Sequence, residues 1–227
     1  MGYNKHMENK EGIYFINKPA GWTSFDVVAK MRGITGIRSI GHAGTLDPFA
    51  TGLLIILVGK EFTKRQSEFM KLDKEYEATL KLGEASTTGD TEGEITPFAK
   101  VRNLGKPKRE EISSILNKFI GEIEQTPPPH SAIKINGERA YKKARRGEQF
   151  EIPKRKITIY DLELIDCKYP FVKFRVKCSS GTYIRTLGQD IAKALGTEGY
   201  LTELRRTKIG DYAVSGAKKI EDLNENK

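Results

Sequence analysis

Cysteine is scarce in this 227-residue chain. Cys167 and Cys178 form no C-x-x-C pair, so neither a disulfide framework nor a thiolate metal site is indicated. Histidine is almost as rare: His6, His42 and His130 show no H-x-x-x-H spacing, and no metal centre is expected. Long apolar runs are missing too. Nothing approaches the roughly 18 residues that a membrane-spanning helix needs, and Met1 to Glu11 lacks the apolar core of a secretory signal. A soluble, cytoplasmic protein is the expectation. Repeats, low-complexity tracts and linkers rich in Pro, Gly or Ser are absent as well, which favours one catalytic-sized domain over two.

Acidic residues are present but outnumbered, with 30 Asp and Glu against 39 Lys and Arg, a net charge of +9. The excess is concentrated. Between His130 and Lys156 nine basic residues face three Glu, a net of +6. Such a segment is either a solvated basic loop and hairpin or an arm that grips phosphates, each neutralised phosphate steepening the salt dependence of binding.

With 37% hydrophobic residues the chain can bury a sizeable core. Ile13 to Ile16 reads as a short strand, and Thr23 or Ser24 can cap a helix carrying Phe25, Val28 and Met31 on one side, ended by Gly33 and Gly36. Leu53 to Val58 is continuously apolar, as suits a strand covered on both faces. Tyr76 to Leu82 alternates, so Tyr76 points with Ala78, Leu80 and Leu82. Ile112, Ile115, Leu116, Phe119 and Ile120 fall at the spacing of an amphipathic helix. Further strands are expected over Ile157 to Ile165 and around Phe174, Val176 and Cys178, and a helix with Ile184, Leu187, Ile191 and Leu195 stopping at Gly196. Strands interleaved with helices without strict alternation predict an α+β fold with a mixed sheet flanked by helices.

Residues 41 to 52, Gly-His-Ala-Gly-Thr-Leu-Asp-Pro-Phe-Ala-Thr-Gly, put one histidine and one carboxylate five positions apart on a glycine-punctuated turn. Glycines permit backbone shapes closed to other residues, and Pro48 biases Asp47 away from helix, so the turn presents Asp47. Asp-Pro also starts turns that do no chemistry, so the turn alone leaves two readings open.

Four segments then line up: Asn17-Lys18-Pro19-Ala20-Gly21-Trp22-Thr23-Ser24, the turn at 41 to 52, Leu82-Gly83-Glu84-Ala85-Ser86-Thr87-Thr88-Gly89-Asp90, and Ser180-Gly181-Thr182-Tyr183-Ile184-Arg185-Thr186-Leu187. With Leu201 to Thr207 near the end, they resemble in this order the TruB family of tRNA pseudouridine synthases, across residues 12 to 215. The resemblance implies the pseudouridine synthase fold, with a largely antiparallel central sheet. It implies isomerisation of the T-loop uridine of tRNA, position 55, from an N-glycoside to a C-glycoside without a cofactor.

By position, Asp47 matches the family's catalytic aspartate, attacking sugar or base, and Arg185 the arginine that pairs with it and holds it charged in a closed pocket. Tyr76 matches the tyrosine that stacks on the target base and is placed to handle a proton. Tyr183 and Leu204 match pocket-lining residues, and Lys18 with Pro19 a motif that supports the pocket. His42 matches a residue filling the space of the extruded nucleotide. The basic segment 127–150, with Lys134, Arg139, Lys142, Lys143, Arg145 and Arg146, matches an RNA-clamping insertion. Without the resemblance, Arg185 reads as a surface arginine on an amphipathic helix and Tyr76 as core.

The expected organisation is a flexible tail over 1–11, the catalytic domain over 12–215 and a polar tail over 216–227, a short form without the further C-terminal RNA-binding module of many bacterial members. The expected partner is the T-arm stem-loop of tRNA, bound by a monomer with no obligatory protein partner. Two alternatives stay open. One is a non-catalytic tRNA-folding chaperone; the other is the catalytic subunit of a guide-RNA pseudouridylation particle.

Overall fold

A computed structural model describes residues 10–98, 106–129, 131, 133–135 and 137–224. Most of the expected N-terminal tail, the last residues of the C-terminal one, His130, and the side chains of Lys134 and Arg145 lie outside what is described. Along the chain run β1 (Gly12–Lys18), α1 (Ser24–Thr35), β2 (Ile40–Ala43), β3 (Thr51–Val58), α2 (Lys60–Thr63), α3 (Gln66–Met70), β4 (Lys74–Leu82), β5 (Glu84–Ser86) and β6 (Ile95–Pro97). There follow α4 (Arg109–Asn117), β7 (Gly121–Gln125), β8 (Lys134–Ile135), β9 (Glu138–Arg139), α5 (Ala140–Arg145), β10 (Arg155–Lys168) and β11 (Phe171–Cys178). Last come α6 (Ile184–Ala194), β12 (Gly199–Ile209), β13 (Tyr212–Ala213) and β14 (Lys218–Lys219). This is a mixed α/β fold whose strand pairs are mostly antiparallel.

The chain divides into two compact units, residues 1–72 with 205–227, and residues 73–204. In the first, β3 is the central strand: β1 runs antiparallel along its whole length, from Gly12 against Val58 to Lys18 against Gly52. On its other side β2 covers the C-terminal half, His42 facing Ile56, and the end of β12 runs parallel to its start, Arg206 facing Gly52. A strand paired on both edges and covered on both faces explains why Leu53 to Val58 are all fully buried. Thr23 caps α1 through a capping box with Asp26, each side chain meeting the other's backbone N–H. The buried face of α1 is Ser24, Val27, Val28 and Met31. Phe25, expected to point inward, is 63% exposed and lies under the Arg32 guanidinium. The helix passes through Gly33 and stops at Gly36, whose φ of 75° supplies the left-handed cap.

In the second unit the strand order is β12, β4, β11, β10, β7. β4 and β11 pair antiparallel from Lys74 against Cys178 to Lys81 against Phe171, and both show strict alternation of buried residues. α4 lies against β10 and α6 against β4. The helix α4 is shorter than its periodicity predicts. It ends at Asn117, where Lys118 and Phe119 bond back to Ile115 and Leu116 in tightened turns, and Gly121 turns the chain into β7, leaving Ile120 exposed.

Candidate active site

In the first unit, Asp47 sits half-buried on the loop between β2 and β3, opening a turn in which the Ala50 N–H donates to the Asp47 carbonyl at 3.1 Å. Every stretch around it is tied down. Just before it, the Leu46 N–H donates to Ser24 Oγ at 2.9 Å and that hydroxyl donates to the Leu46 carbonyl at 3.2 Å. Just after it, the Pro48 carbonyl accepts from the Gly21 N–H at 2.9 Å and from Lys18 Nζ at 3.1 Å. Lys18 is fully buried, and its ammonium also donates to the carbonyls of Trp22 and Pro19 at 2.6 and 2.9 Å. The segment Asn17 to Ser24 is thus a cradle for the Asp47 turn, with Lys18 acting on backbone.

The loop's two stems are joined by Arg206, a residue that sequence reasoning did not single out. The residue is 1% exposed, and its guanidinium donates to the carbonyls of Leu53 at 2.8 Å, Gly44 at 3.0 Å and Thr45 at 3.5 Å. One planar fork therefore spans the chain entering the loop and the chain leaving it. Gly52 makes this possible: at φ 104°, a Cβ there would stand 2.3 Å from the Arg206 carbonyl oxygen. No local signal in the sequence marks it, since its partners lie more than 150 positions away.

His42 on β2 is half-buried, its carbonyl accepting from Gln66 Nε2 at 2.6 Å. Its Nδ1 is buried and meets no hydrogen-bond partner among the described residues. Burial, and then the charge of Arg206, hold its imidazole below the usual pKa, so the ring is neutral at pH 7.

The second unit holds the other residues assigned to chemistry. Arg185, on the first turn of α6, is 4% exposed, which overturns the surface-arginine reading. Its Nη1 lies 3.3 Å from Asp90 Oδ2 and donates to the Thr88 carbonyl at 2.8 Å. Asp90 closes the segment that begins at Leu82. Its Oδ1 accepts from Thr88 Oγ1 at 2.5 Å and from the Glu92 N–H at 3.0 Å, so an almost fully buried carboxylate is held by two donors and a guanidinium. Tyr183 precedes α6, its backbone pinned by Gln125, which donates to its carbonyl at 3.0 Å and accepts from its N–H at 2.8 Å. Its ring lies 5.1 Å from the Arg155 guanidinium. Tyr76 and Leu204 are buried on β4 and β12.

The basic segment forms the small hairpin β8–β9 and the single-turn helix α5. Its cations differ in role. Arg146 forks onto Glu138 with two bonds of 2.8 Å and reaches Glu148 at 2.6 Å, while Lys143 pairs with Glu148 at 3.3 Å. Arg139 and Lys142 are exposed. Among the described residues no group of three or more His, Cys, Asp or Glu is placed to hold a metal ion, and no helix is long and apolar enough to cross a membrane.

The family model described as TruB family pseudouridylate synthase (N terminal domain) matches residues 32–184, and that of the tRNA pseudouridylate synthase B C-terminal domain matches residues 185–227. A tRNA pseudouridine synthase B of Parabacteroides distasonis is 43% identical over 219 residues, covering 94% of this chain and 92% of that protein. One from Thermobifida fusca is 41% identical over 221 residues, covering 94% of this chain and 74% of that protein. Among solved structures, the chain is similar to a protein in a Cbf5-Nop10-Gar1 complex, with a TM-score of 0.71 and 28% identity, over 95% of this chain and 54% of that one. Similarity to a chain of an H/ACA RNP bound to a substrate RNA containing 2'-deoxyuridine is close to this, at a TM-score of 0.70 and 26% identity, over 95% of this chain and 53% of that one.

Proposed function

Because the chain belongs to the TruB family of pseudouridylate synthases, we propose that within tRNA it isomerises the T-loop uridine at position 55, with Asp47 as nucleophile. Residues 12–215 are assigned to the catalytic region, 127–150 to its RNA-gripping insertion and 216–227 to a polar tail. The reaction breaks the bond from C1' to N1 of uracil, turns the base, forms a bond from C1' to C5, and exchanges one proton for another, C5 losing its proton and the freed N1 gaining one. Nothing is oxidised or reduced, so the chemistry asks for a nucleophile, a proton acceptor and a water-poor cleft.

The observation that carries this reading is the anchoring of the Asp47 turn. Ser24, Gly21, Lys18 and Arg206 fix the backbone on both sides of one carboxylate. Two of these anchors are buried cations, and their field favours an anionic side chain on the loop they hold. Such pre-positioning is what nucleophilic catalysis requires, because a nucleophile misplaced by about 1 Å loses about a hundredfold in rate. Tyr76 stacks on the flipped base and accepts the C5 proton, and Arg185 supplies the compensating cation. His42, neutral and half-buried, fills the gap the nucleotide leaves; stacking offsets about 1–3 kcal/mol of the few kcal/mol that flipping costs.

A second reading, the catalytic subunit of a guide-RNA particle acting in the cytoplasm or elsewhere, draws on the likeness to Cbf5. The higher identity to proteins named tRNA pseudouridine synthase B favours the first, in which a monomer acts on the T-arm without a protein partner. The test is to treat an unmodified tRNA transcript with the purified chain alone and map pseudouridine by carbodiimide-dependent primer stops. A single stop at the T-loop uridine is expected; stops elsewhere, or none until a guide RNA is added, contradict the proposal.

A further inference from the structure

Tyr183 opens α6, and its own side chain makes no capping bond there. The cap comes from another element. Gln125, at the end of β7 and 1% exposed, donates from Nε2 to the Tyr183 carbonyl at 3.0 Å and accepts at Oε1 from the Tyr183 N–H at 2.8 Å. One amide side chain thus pairs with both backbone polar groups of one residue, as a neighbouring strand would. The same carbonyl also accepts the Leu187 N–H at 3.0 Å, so Gln125 holds Tyr183 together with the start of α6. Next to it, Thr186 Oγ1 donates to the Thr126 carbonyl at 3.5 Å.

Arg155 works on the ring. It begins β10 directly opposite Gln125 in the antiparallel ladder with β7, and residues opposite one another leave the same face of a sheet. Lys156, one position on, points to the other face and pairs with Glu122 at 2.8 Å. The Arg155 guanidinium lies 5.1 Å from the centre of the Tyr183 ring, and its Nη1 donates to the Gly181 carbonyl at 3.4 Å. Gly181 leaves room for it: at φ 85°, a Cβ there would crowd that nitrogen at 3.2 Å. The chain departs for the basic insertion after Gln125 and β10 begins at Arg155, so the rung at the root of the insertion is also the one that holds Tyr183.

We propose that Gln125 and Arg155 are positioning residues for the isomerisation, the first fixing the backbone of Tyr183 and the second the place of its ring in the uridine pocket. The proposal rests on the functional reading above, in which Tyr183 lines that pocket. A ring confines a turning base only while it holds still, and a displacement of about 1 Å costs about a hundredfold in rate. Without Gln125 the Tyr183 N–H loses its acceptor, and the backbone shifts to recover one. Without Arg155 a cation leaves the face of the ring, which then turns more freely. Neither side chain needs to touch RNA for this, and that separates their role from the surface cations of the insertion.

The experiment measures single-turnover tritium release from a T-arm hairpin labelled at uracil C5, with the protein saturating, alongside hairpin Kd by anisotropy and melting temperatures. Gln125→Met and Arg155→Met keep the length of the side chain without its polar head. Each is expected to lower the saturated rate by about tenfold or more while Kd stays within about twofold. Arg155→Lys, which keeps a cation beside the ring, should stay within about threefold of wild type. In a Tyr183→Leu background, Arg155→Met should cost no more than about twofold further, because the ring it acts on is gone. Unchanged saturated rates in both Met variants overturn the proposal, as does a rise in Kd that matches the fall in rate, which makes these residues RNA contacts. Full additivity with Tyr183→Leu overturns the part given to Arg155. If Gln125→Met does not fold, the partly exposed Arg155 decides through its two replacements and the cycle. Wild type separates the two levels: if it releases no tritium, the functional reading fails and this proposal with it; if it releases tritium and the variants match it, only the positioning role fails.

Discussion

Arg206 is the residue on which the geometry of the Asp47 loop depends most. Burying a guanidinium carries a penalty of several kcal/mol, and three hydrogen bonds from a charged donor, each contributing about 1.5–3 kcal/mol, offset it only while all three carbonyls stay in place. Arg206→Lys keeps the charge but not the fork, and an ammonium does not span both stems. Its expected outcome is a loss of at least about 2 kcal/mol in urea unfolding with an unchanged m-value, and a fall in kcat larger than any rise in KM. Gly52→Ala probes the same contact from the other side: its Cβ collides with the Arg206 backbone at a positive φ, and a loss of more than about 1 kcal/mol is expected in the same measurement. At His42 the sign of the pH dependence is set by its lowered pKa. The unfolded chain takes up that proton first, so the His42 contribution to stability declines as pH falls through and below its unfolded value near 6.5 and is constant well above it. In His42→Phe that part of the decline disappears, which unfolding curves between pH 5 and 8 will register.

Among the elements, the basic hairpin and α5 separate contacts from struts. Lys142 is an exposed cation, whereas Arg146 bridges Glu138 and Glu148 across the segment. Reversing Lys142 to Glu should reduce the salt slope of RNA binding by about one per lost phosphate contact. Arg146→Ala should instead loosen the hairpin, raising amide exchange there while a smaller change in slope is seen; equal slope losses in both variants would contradict the division. Alternation made β4 and β11 readable in the sequence, and continuous apolarity made β3 readable, because burial on one or two faces writes itself directly into residue pattern. Helix faces were less legible. Phe25 and Val27 differ by about 200° around α1, and only the surface that α1 packs on decides which is buried. The end of α4 was misplaced for a similar reason, since a tightened turn and Gly121 override an apolar spacing that continues to Ile120.

At the scale of the whole molecule, a net +9 with two thirds of the excess in 27 residues makes attraction to RNA general, while discrimination has to come from a few polar groups. The Asp47 turn and the family segments were legible in the sequence because glycines, Pro48 and Lys18 are locally specified. Arg206 and Asp90 were not, because each acts through partners far away in sequence, on carbonyls or on Arg185, and no local pattern marks a residue for that. In the first unit buried cations hold the backbone carbonyls of the Asp47 loop, and in the second a carbonyl and a buried carboxylate hold Arg185. The measurement that bears most directly on the account is single-turnover tritium release from a T-arm hairpin labelled at uracil C5, comparing wild type with Asp47→Asn. Wild type alone should release tritium, and the variant should release none while binding the hairpin within a few-fold of wild type; release by the variant at a comparable rate would contradict the role given to Asp47.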